Sequence, residues 1–415
     1  MKILLIAEPG SAHTAGFHNV LKALQHEVRI FAMSEFFQIY TELNTPLIYA
    51  DSYNHHTKNL KTDLLFRRDY NLLERQFFRL LSRFARRSSR FKQYSNFRKR
   101  GLHLKELIND WKPELVITLK LQNEGYFYSY FLSRYPDFSD TPWIHFLWGT
   151  DLEFFGKNSG TRNEHRPIIE KTLGRCPFIL TDTLRDVEEA RKFGFQGEVL
   201  GTLVAFGGIE SNLILGRRND QVKRNRVVIK GREGGLVGRA GLVIRTIAGM
   251  PDVRLNEFEF HLIMPTESAK RIVNECNFVS GRSIIVHDYL SHAEVIDLMS
   301  KSEISISASD VDGTPGFLIE SMAYGAIPIH SDMESIREWI TDGVNGFLFE
   351  NNLASLEKSI ARALDASQSW EEMAQVNSEV VRDQASRDFV TQKLGALLNR
   401  FEQKPFKPNT VEKHQ

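Results

Sequence analysis

Cysteine is scarce: the 415-residue chain holds two, Cys176 and Cys276. They lie far apart, fit no metal-ligand spacing and build no disulfide framework, so they read as buried thiols of a reducing cytosol. Long apolar runs are missing too. No stretch approaches the ~20 residues of a membrane-spanning helix, and the opening Met1–Glu8 is too short, and too soon charged, for a secretory signal. Net charge is nearly absent, with 53 Lys and Arg against 52 Asp and Glu, so overall charge points to no class of partner. No internal repeat is visible beyond two similar halves. What remains is an ordinary globular composition, 42% hydrophobic and 25% charged, at a length that suits two domains.

One stretch organises the rest. Glu303–Ala308 alternates apolar and small polar residues, as a strand does. A loop with two Asp, two Gly and a Pro follows. Phe317–Tyr324 then has a helical pattern with Gly325 as its stop, and Ala326–His330 reads as the next strand. A helix that opens straight from a glycine loop presents unpaired N–H groups and the positive end of its dipole, which suits phosphate. The amides of Gly316, Phe317 and Leu318 are the candidates. Asp312 in the loop and Glu320 about one turn into the helix can both face a ligand seated there. Carboxylates accept hydrogen bonds from sugar hydroxyls well. Phosphate at the amides and hydroxyls at two acids describe a nucleotide sugar.

The run Asp312-Gly-Thr-Pro-Gly-Phe-Leu-Ile-Glu320-Ser-Met-Ala-Tyr-Gly resembles the retaining glycosyltransferases of the GT-B fold, in particular glycosyltransferase family 4. That family has two Glu at this spacing; here the first is Asp, one methylene shorter. The resemblance implies an α/β fold of two Rossmann-like, doubly wound domains facing a cleft. The N-terminal one (1–205) would hold the acceptor and the C-terminal one (206–375) the donor. Helices over 376–403 would return to the first domain, and 404–415 would form a polar, disordered tail. It also implies sugar transfer with retention from a nucleotide-diphosphate sugar, which is a substrate; no cofactor is expected. Asp310-Val-Asp312 looks like a metal-binding Asp-x-Asp, but that motif belongs to the other glycosyltransferase fold, and no required metal is expected.

Along the chain, Lys2–Ala7 reads as a buried strand, Phe17–Leu24 as a helix and Glu27–Ala32 as a second strand, a βαβ start. The resemblance makes Gly16, at the helix start, a candidate for close approach to the donor diphosphate. His13 and His18 read as loop and surface histidines. Strands are expected at Glu114–Leu119, Trp143–Trp148 and Pro177–Asp182. The family's histidine near the reacting sugar falls on Trp148, and alternation puts His145 on the opposite strand face. Asp151 lies just past that strand, where open α/β sheets place ligands. Gly197–Ala205 and Gly207-Gly208 read as an interdomain linker.

Arg226–Lys230 starts the second half. Basic residues and glycines between a strand and a helix suit a diphosphate by charge and by backbone room. The candidates are Lys230, Arg232 and Arg239, with Arg232 and Arg239 favoured. The loops Pro265-Thr266 and Asp288–Leu290 match the family's base-holding positions.

Residues 61–100 carry 13 Lys or Arg against 3 Asp or Glu. As a helix, Arg75, Arg79, Arg83, Arg86, Arg87 and Arg90 share one side, and Leu73, Phe77, Leu80, Leu81, Phe84 and Phe91 another. This suits an anionic membrane surface, or a core-facing helix with a basic outer face; no nucleic-acid motif accompanies it. The expected protein is a cytoplasmic hexosyltransferase, peripheral at the inner face of the membrane, acting on a sugar or lipid-linked acceptor in bacterial surface polysaccharide or glycolipid synthesis. A sugar-nucleotide epimerase of related fold, or a non-catalytic sugar-nucleotide or membrane-binding protein, stays open as an alternative.

Overall fold

The computed structural model describes residues 1–33, 47–49, 90–157, 162–216, 224–235, 237–276 and 282–402. Among the described residues the fold is α/β, with two parallel sheets. The first has seven strands: β1 (Lys2–Ala7), β2 (Glu27–Ala32), β3 (Leu47–Tyr49), β4 (Leu115–Leu119), β5 (Trp143–Leu147), β6 (Phe178–Thr181) and β7 (Glu198–Thr202), in the order β3-β2-β1-β4-β5-β6-β7. The second has six: β8 (Arg226–Lys230), β9 (Glu259–Ile263), β10 (Ile284–His287), β11 (Ser302–Ser307), β12 (Ile327–Ser331) and β13 (Phe347–Phe349), in the order β10-β9-β8-β11-β12-β13. Strands that are apolar on both faces, such as Lys2–Ala7, have to be covered by helices on both sides. Period two shows directly: Ile3, Leu5 and Ala7 enter one apolar cluster, Leu4 and Ile6 another. The first of these clusters continues into the second half through Val228, Leu318, Ile319 and Met322.

Three expectations are corrected. The first helix runs Ala12–Ala23 from a Ser11 cap, so Gly16 lies inside it and not at its start, and His18 on the same helix is buried. Within the stretch read as a linker, Glu198–Thr202 is the edge strand of the first sheet, paired in parallel with β6. Gly201 within it and Gly197 just before it masked the strand signal, because glycine is depleted in strands. The chain crosses to the second sheet after it. The last helix, Arg387–Glu402, packs back on the first half: Arg387 donates to the Gly16 carbonyl at 3.3 Å, and Lys393 to that of Thr202 at 3.0 Å.

Residues 61–89 and 404–415 lie outside the described residues. In the helix Arg90–Trp111, Phe97, Leu104, Leu107, Ile108 and Trp111 are buried in the first half. No helix among the described residues is long and apolar enough to cross a membrane.

Candidate active site

The helix after the glycine loop runs Gly316–Tyr324 and stops at Gly325, whose φ of 88° is the left-handed conformation that glycine tolerates. Its N-cap is Pro315, which has no side-chain acceptor to offer. The Leu318 N–H turns back to the Pro315 carbonyl at 3.0 Å, so this amide, a candidate from sequence, is already used. The amides of Gly316 and Phe317 have no partner among the described residues. A Cβ on Gly316 would meet nothing within 4 Å. The helix start is therefore open, with two donors and a dipole facing the space.

Charges gather beside it. The Lys230 ammonium lies 2.9 Å from the Asp312 carboxylate, both partly buried. Arg239 makes a two-pronged contact with Asp310, which also accepts from Asn351 Nδ2 at 2.9 Å. Arg232 is exposed at the rim. Of the three cations expected from the sequence, Lys230 is the one the fold brings to Asp312, while Arg239 is held by a neighbouring acid. Each Asp of Asp310-Val-Asp312 thus has its own cation. Glu320 faces His292, with Oε1 and Nε2 3.2 Å apart.

The loop 312–314 is gripped by the other half of the molecule. Asp182, at the end of β6, accepts the Thr314 N–H on Oδ2 at 2.9 Å, and its carbonyl accepts the Thr314 hydroxyl at 2.9 Å. Its Oδ1 accepts the Ala205 N–H at 3.1 Å. Arg185 donates to the Asp312 carbonyl at 3.2 Å and to the Gly149 carbonyl. Glu338 returns the grip, accepting the N–H groups of Leu184 and Arg185 at 2.9 and 3.2 Å. Those amides open the helix Leu184–Lys192, where a carboxylate is favoured by the dipole. Asp182, Arg185 and Glu338 were not singled out in the sequence. Asp182 carried a signal of the same kind as Asp151, an acid at the C-terminal end of a strand; Arg185 and Glu338 carried none.

Two sequence candidates have other duties. A Cβ on Gly16 would overlap the Phe206 carbonyl, and the Gly16 carbonyl accepts from Arg387. The room at Gly16 is filled by backbone, not left for a diphosphate. Asp151 is 1% exposed, and its Oδ2 accepts the N–H groups of Leu121 and Trp148, each at 2.9 Å. It ties the loop after β4 to the loop after β5 and does not line the site. His145 is fully buried, its Nδ1 2.7 Å from the Thr118 hydroxyl, and burial pushes its pKa down to about 3, so it is a neutral core residue. His13, by contrast, lies toward the cleft beside Trp148. Its ring centre is 5.0 Å from that of Trp148, and burial lowers its pKa against the opposing pull of Asp312.

Residues 269–379 match the family model of glycosyl transferases group 1. Over that stretch the chain carries a group 1 glycosyl transferase domain, and it is a glycosyltransferase. No curated protein sequence matches it. Among solved structures, sucrose-phosphate synthase from Thermosynechococcus elongatus aligns at a TM-score of 0.68 and 14% identity, over 97% of this chain and 99% of that one. Anabaena HepE in complex with UDP-glucose aligns at 0.65 and 12%, over 96% and 100%. The lipopolysaccharide outer core galactosyltransferase WaaB, in its apo form, aligns at 0.64 and 14%, over 96% and 99%. At these identities the likeness establishes the fold, two Rossmann-like units of the GT-B type.

Three buried acids of this glycosyltransferase set a pH dependence. Burial raises the pKa of Glu124 to about 8, and those of Asp151 and Asp182 to about 7. The folded state then holds protons that the unfolded state has released. Stability from these groups is complete below about pH 4 and is lost as pH rises through 7 to 8. Glu124→Gln removes one such titration. In chemical denaturation the variant should lose less stability than the parent between pH 5 and pH 8; equal losses would contradict the assignment.

Proposed function

We propose that the protein transfers a hexose-like group from a nucleoside-diphosphate sugar to an acceptor hydroxyl with retention of anomeric configuration, in surface polysaccharide or glycolipid synthesis. The observation that carries this is the open start of the helix Gly316–Tyr324, with two unpartnered amides beside Lys230, Asp312 and Glu320. The diphosphate would lie on the amides of Gly316 and Phe317, with Lys230 and, at the rim, Arg232 balancing its charge. Asp312 would take hydroxyls of the transferred sugar and Glu320 those of the ribose. Two fold neighbours point the same way: HepE is described with UDP-glucose, and an Escherichia coli relative with UDP-2-fluoro glucose.

In the reaction, the acceptor oxygen bonds to the anomeric carbon as the bond from that carbon to the diphosphate breaks. The bonding pair leaves with the diphosphate, and the acceptor proton is taken up by the departing diphosphate. Catalysis is then chiefly stabilisation of the growing negative charge, by cations and amides fixed in advance. No metal enters this scheme. The basic stretch 61–100 would hold the protein at an anionic membrane, where a lipid-linked acceptor is met; each basic residue contributes about 1 kcal/mol there.

The test is thermal stabilisation by a panel of nucleotide sugars, because a ligand bound only by the native state raises apparent stability. Stabilisation by one member is expected. Glu320→Gln should weaken its binding about tenfold or more, since hydrogen bonds to a charged group are worth about 1.5–3 kcal/mol. Unchanged affinity by calorimetry would remove Glu320 from the site, and no stabilisation by any member would refute the reading.

A further inference from the structure

Beneath the helix Gly316–Tyr324 the second sheet carries polar side chains where apolar ones are the rule. Ile304 and Ile306 of β11, Ile327 and Ile329 of β12, and Val227 and Ile229 of β8 all face one apolar cluster. Period two turns Ser307, His330 and Lys230 to the opposite face. On that face Val228 packs in one cluster with Leu318, Ile319 and Met322 of the helix. The strands are in register there: Ile306 pairs with Ile229, and Ser307 with His330. One step on from Ile229, Lys230 stands beside Ser307. The three residues form a row across the carboxyl ends of β8, β11 and β12, on strands about 4.8 Å apart.

Two members of the row are unsatisfied. Ser307 and His330 are each 1% exposed, and Ser307 Oγ and His330 Nε2 have no hydrogen-bond partner among the described residues. His330 Nδ1 lies 3.2 Å from the Ser331 carbonyl, which can only accept, so the ring proton sits on Nδ1 and Nε2 is a bare acceptor. Burial, with Lys230 nearby, pushes the His330 pKa down to about 4, so the ring is neutral at pH 7. The third member has donors to spare. The Lys230 ammonium carries three protons and has one partner among the described residues, Asp312 at 2.9 Å. Buried polar groups left unpaired are destabilising. The row can pair all of its own once Lys230 releases Asp312.

We propose that Ser307 and His330 are the seat of the Lys230 ammonium in the donor-bound enzyme. When sugar hydroxyls take Asp312, Lys230 turns a proton to Ser307 Oγ, and the Ser307 hydroxyl donates to His330 Nε2. This seat is neutral. It fixes the ammonium without cancelling its charge, as the Asp312 carboxylate does in the free protein, so the full charge faces the departing diphosphate. The inference rests on the transfer reading above and adds two positioning residues to it, which act through Lys230.

The experiment uses the full chain and the nucleotide sugar found by thermal stabilisation, and follows turnover at saturating donor. His330→Leu removes the acceptor and keeps an apolar bulk, while His330→Gln puts a carbonyl oxygen near the place of Nε2. Ser307→Ala removes the hydroxyl with little change of volume, and carries the test if His330→Leu does not fold. His330→Leu and Ser307→Ala are expected to lower kcat about tenfold while the donor Kd from calorimetry stays within about twofold, because the charge that Lys230 meets grows in the transition state. His330→Gln should keep kcat within about threefold of the parent. In a Lys230→Ala background the losses should shrink to less than about twofold, since the group being held is gone. The same fold-loss in both backgrounds overturns the seat, because a merely structural residue costs alike with and without Lys230. So does a His330→Gln no better than His330→Leu, or a parent-like kcat in both Ser307→Ala and His330→Leu. A parent that neither binds nor turns over any nucleotide sugar defeats the transfer reading itself, and the seat falls with it.

Discussion

Gly149→Ala is expected to slow sugar transfer at least a hundredfold. Gly149 and Gly313 come from opposite halves of the molecule and meet backbone to backbone; a Cβ on Gly149 would overlap the Gly313 Cα. Backbone cannot rotate aside as a side-chain end can, so the halves part or the loop 312–314 shifts. That loop carries Asp312 and is held by Asp182 and Arg185. A misplacement of about 1 Å costs about a hundredfold in rate where catalysis depends on position. The matched control is Gly316→Ala, whose added methyl meets no protein atom. It should leave the solution shape alone and weaken nucleotide binding by crowding the helix start. Small-angle scattering and steady-state transfer separate the two. Parent-like turnover in Gly149→Ala, at any solution shape, would show that the contact between the halves does not position the loop.

Lys230→Ala should lower turnover by about two to three orders of magnitude, the usual cost of removing one fixed stabiliser of transition-state charge. It also strips Asp312, whose side chain is 14% exposed, of its cation. A partly buried carboxylate left alone is destabilising, so the single variant mixes two effects. Lys230→Ala combined with Asp312→Asn separates them. The pair should regain most of the stability lost by the single variant without regaining turnover, because the neutral amide no longer needs a counter-charge while the diphosphate still does. Arg239→Ala should cost far less, because Asp310 already occupies its guanidinium. If Arg239→Ala is the more damaging of the two, the diphosphate lies nearer the rim than the position of Lys230 implies.

The donor half was the more legible part of the sequence. Its strands, the glycine loop, the helix start and the stop at Gly325 are short-range features, each set by residues within a few positions of one another. Glu320 and Gly316 share one helix, so their relation follows from 3.6 residues per turn. The cations were read less well. Three basic residues stood in one loop, and sequence spacing favoured Arg232 and Arg239. Which of them meets Asp312 depends on β8 lying beside β11, a pairing between segments more than seventy positions apart.

What the sequence determined by itself is local: which runs are strands buried on both faces, where helices begin and end, and that one helix opens bare toward a ligand with acids beside it. Hydrophobic period and turn chemistry carry that much. Only the tertiary structure decided which groups remain free once the halves meet. Gly16 and Gly149 are glycines because another backbone lies against them, not because a ligand does. Asp151 turned inward to tie two loops together, while Asp182, an acid in the same kind of position two loops on, became the grip on Thr314. His13 lies toward the cleft and His145 in the core. These outcomes share one physical reason. A side chain's local sequence fixes the face it points from, but its partners across a cleft come from the packing of two sheets, and no period in the chain records that.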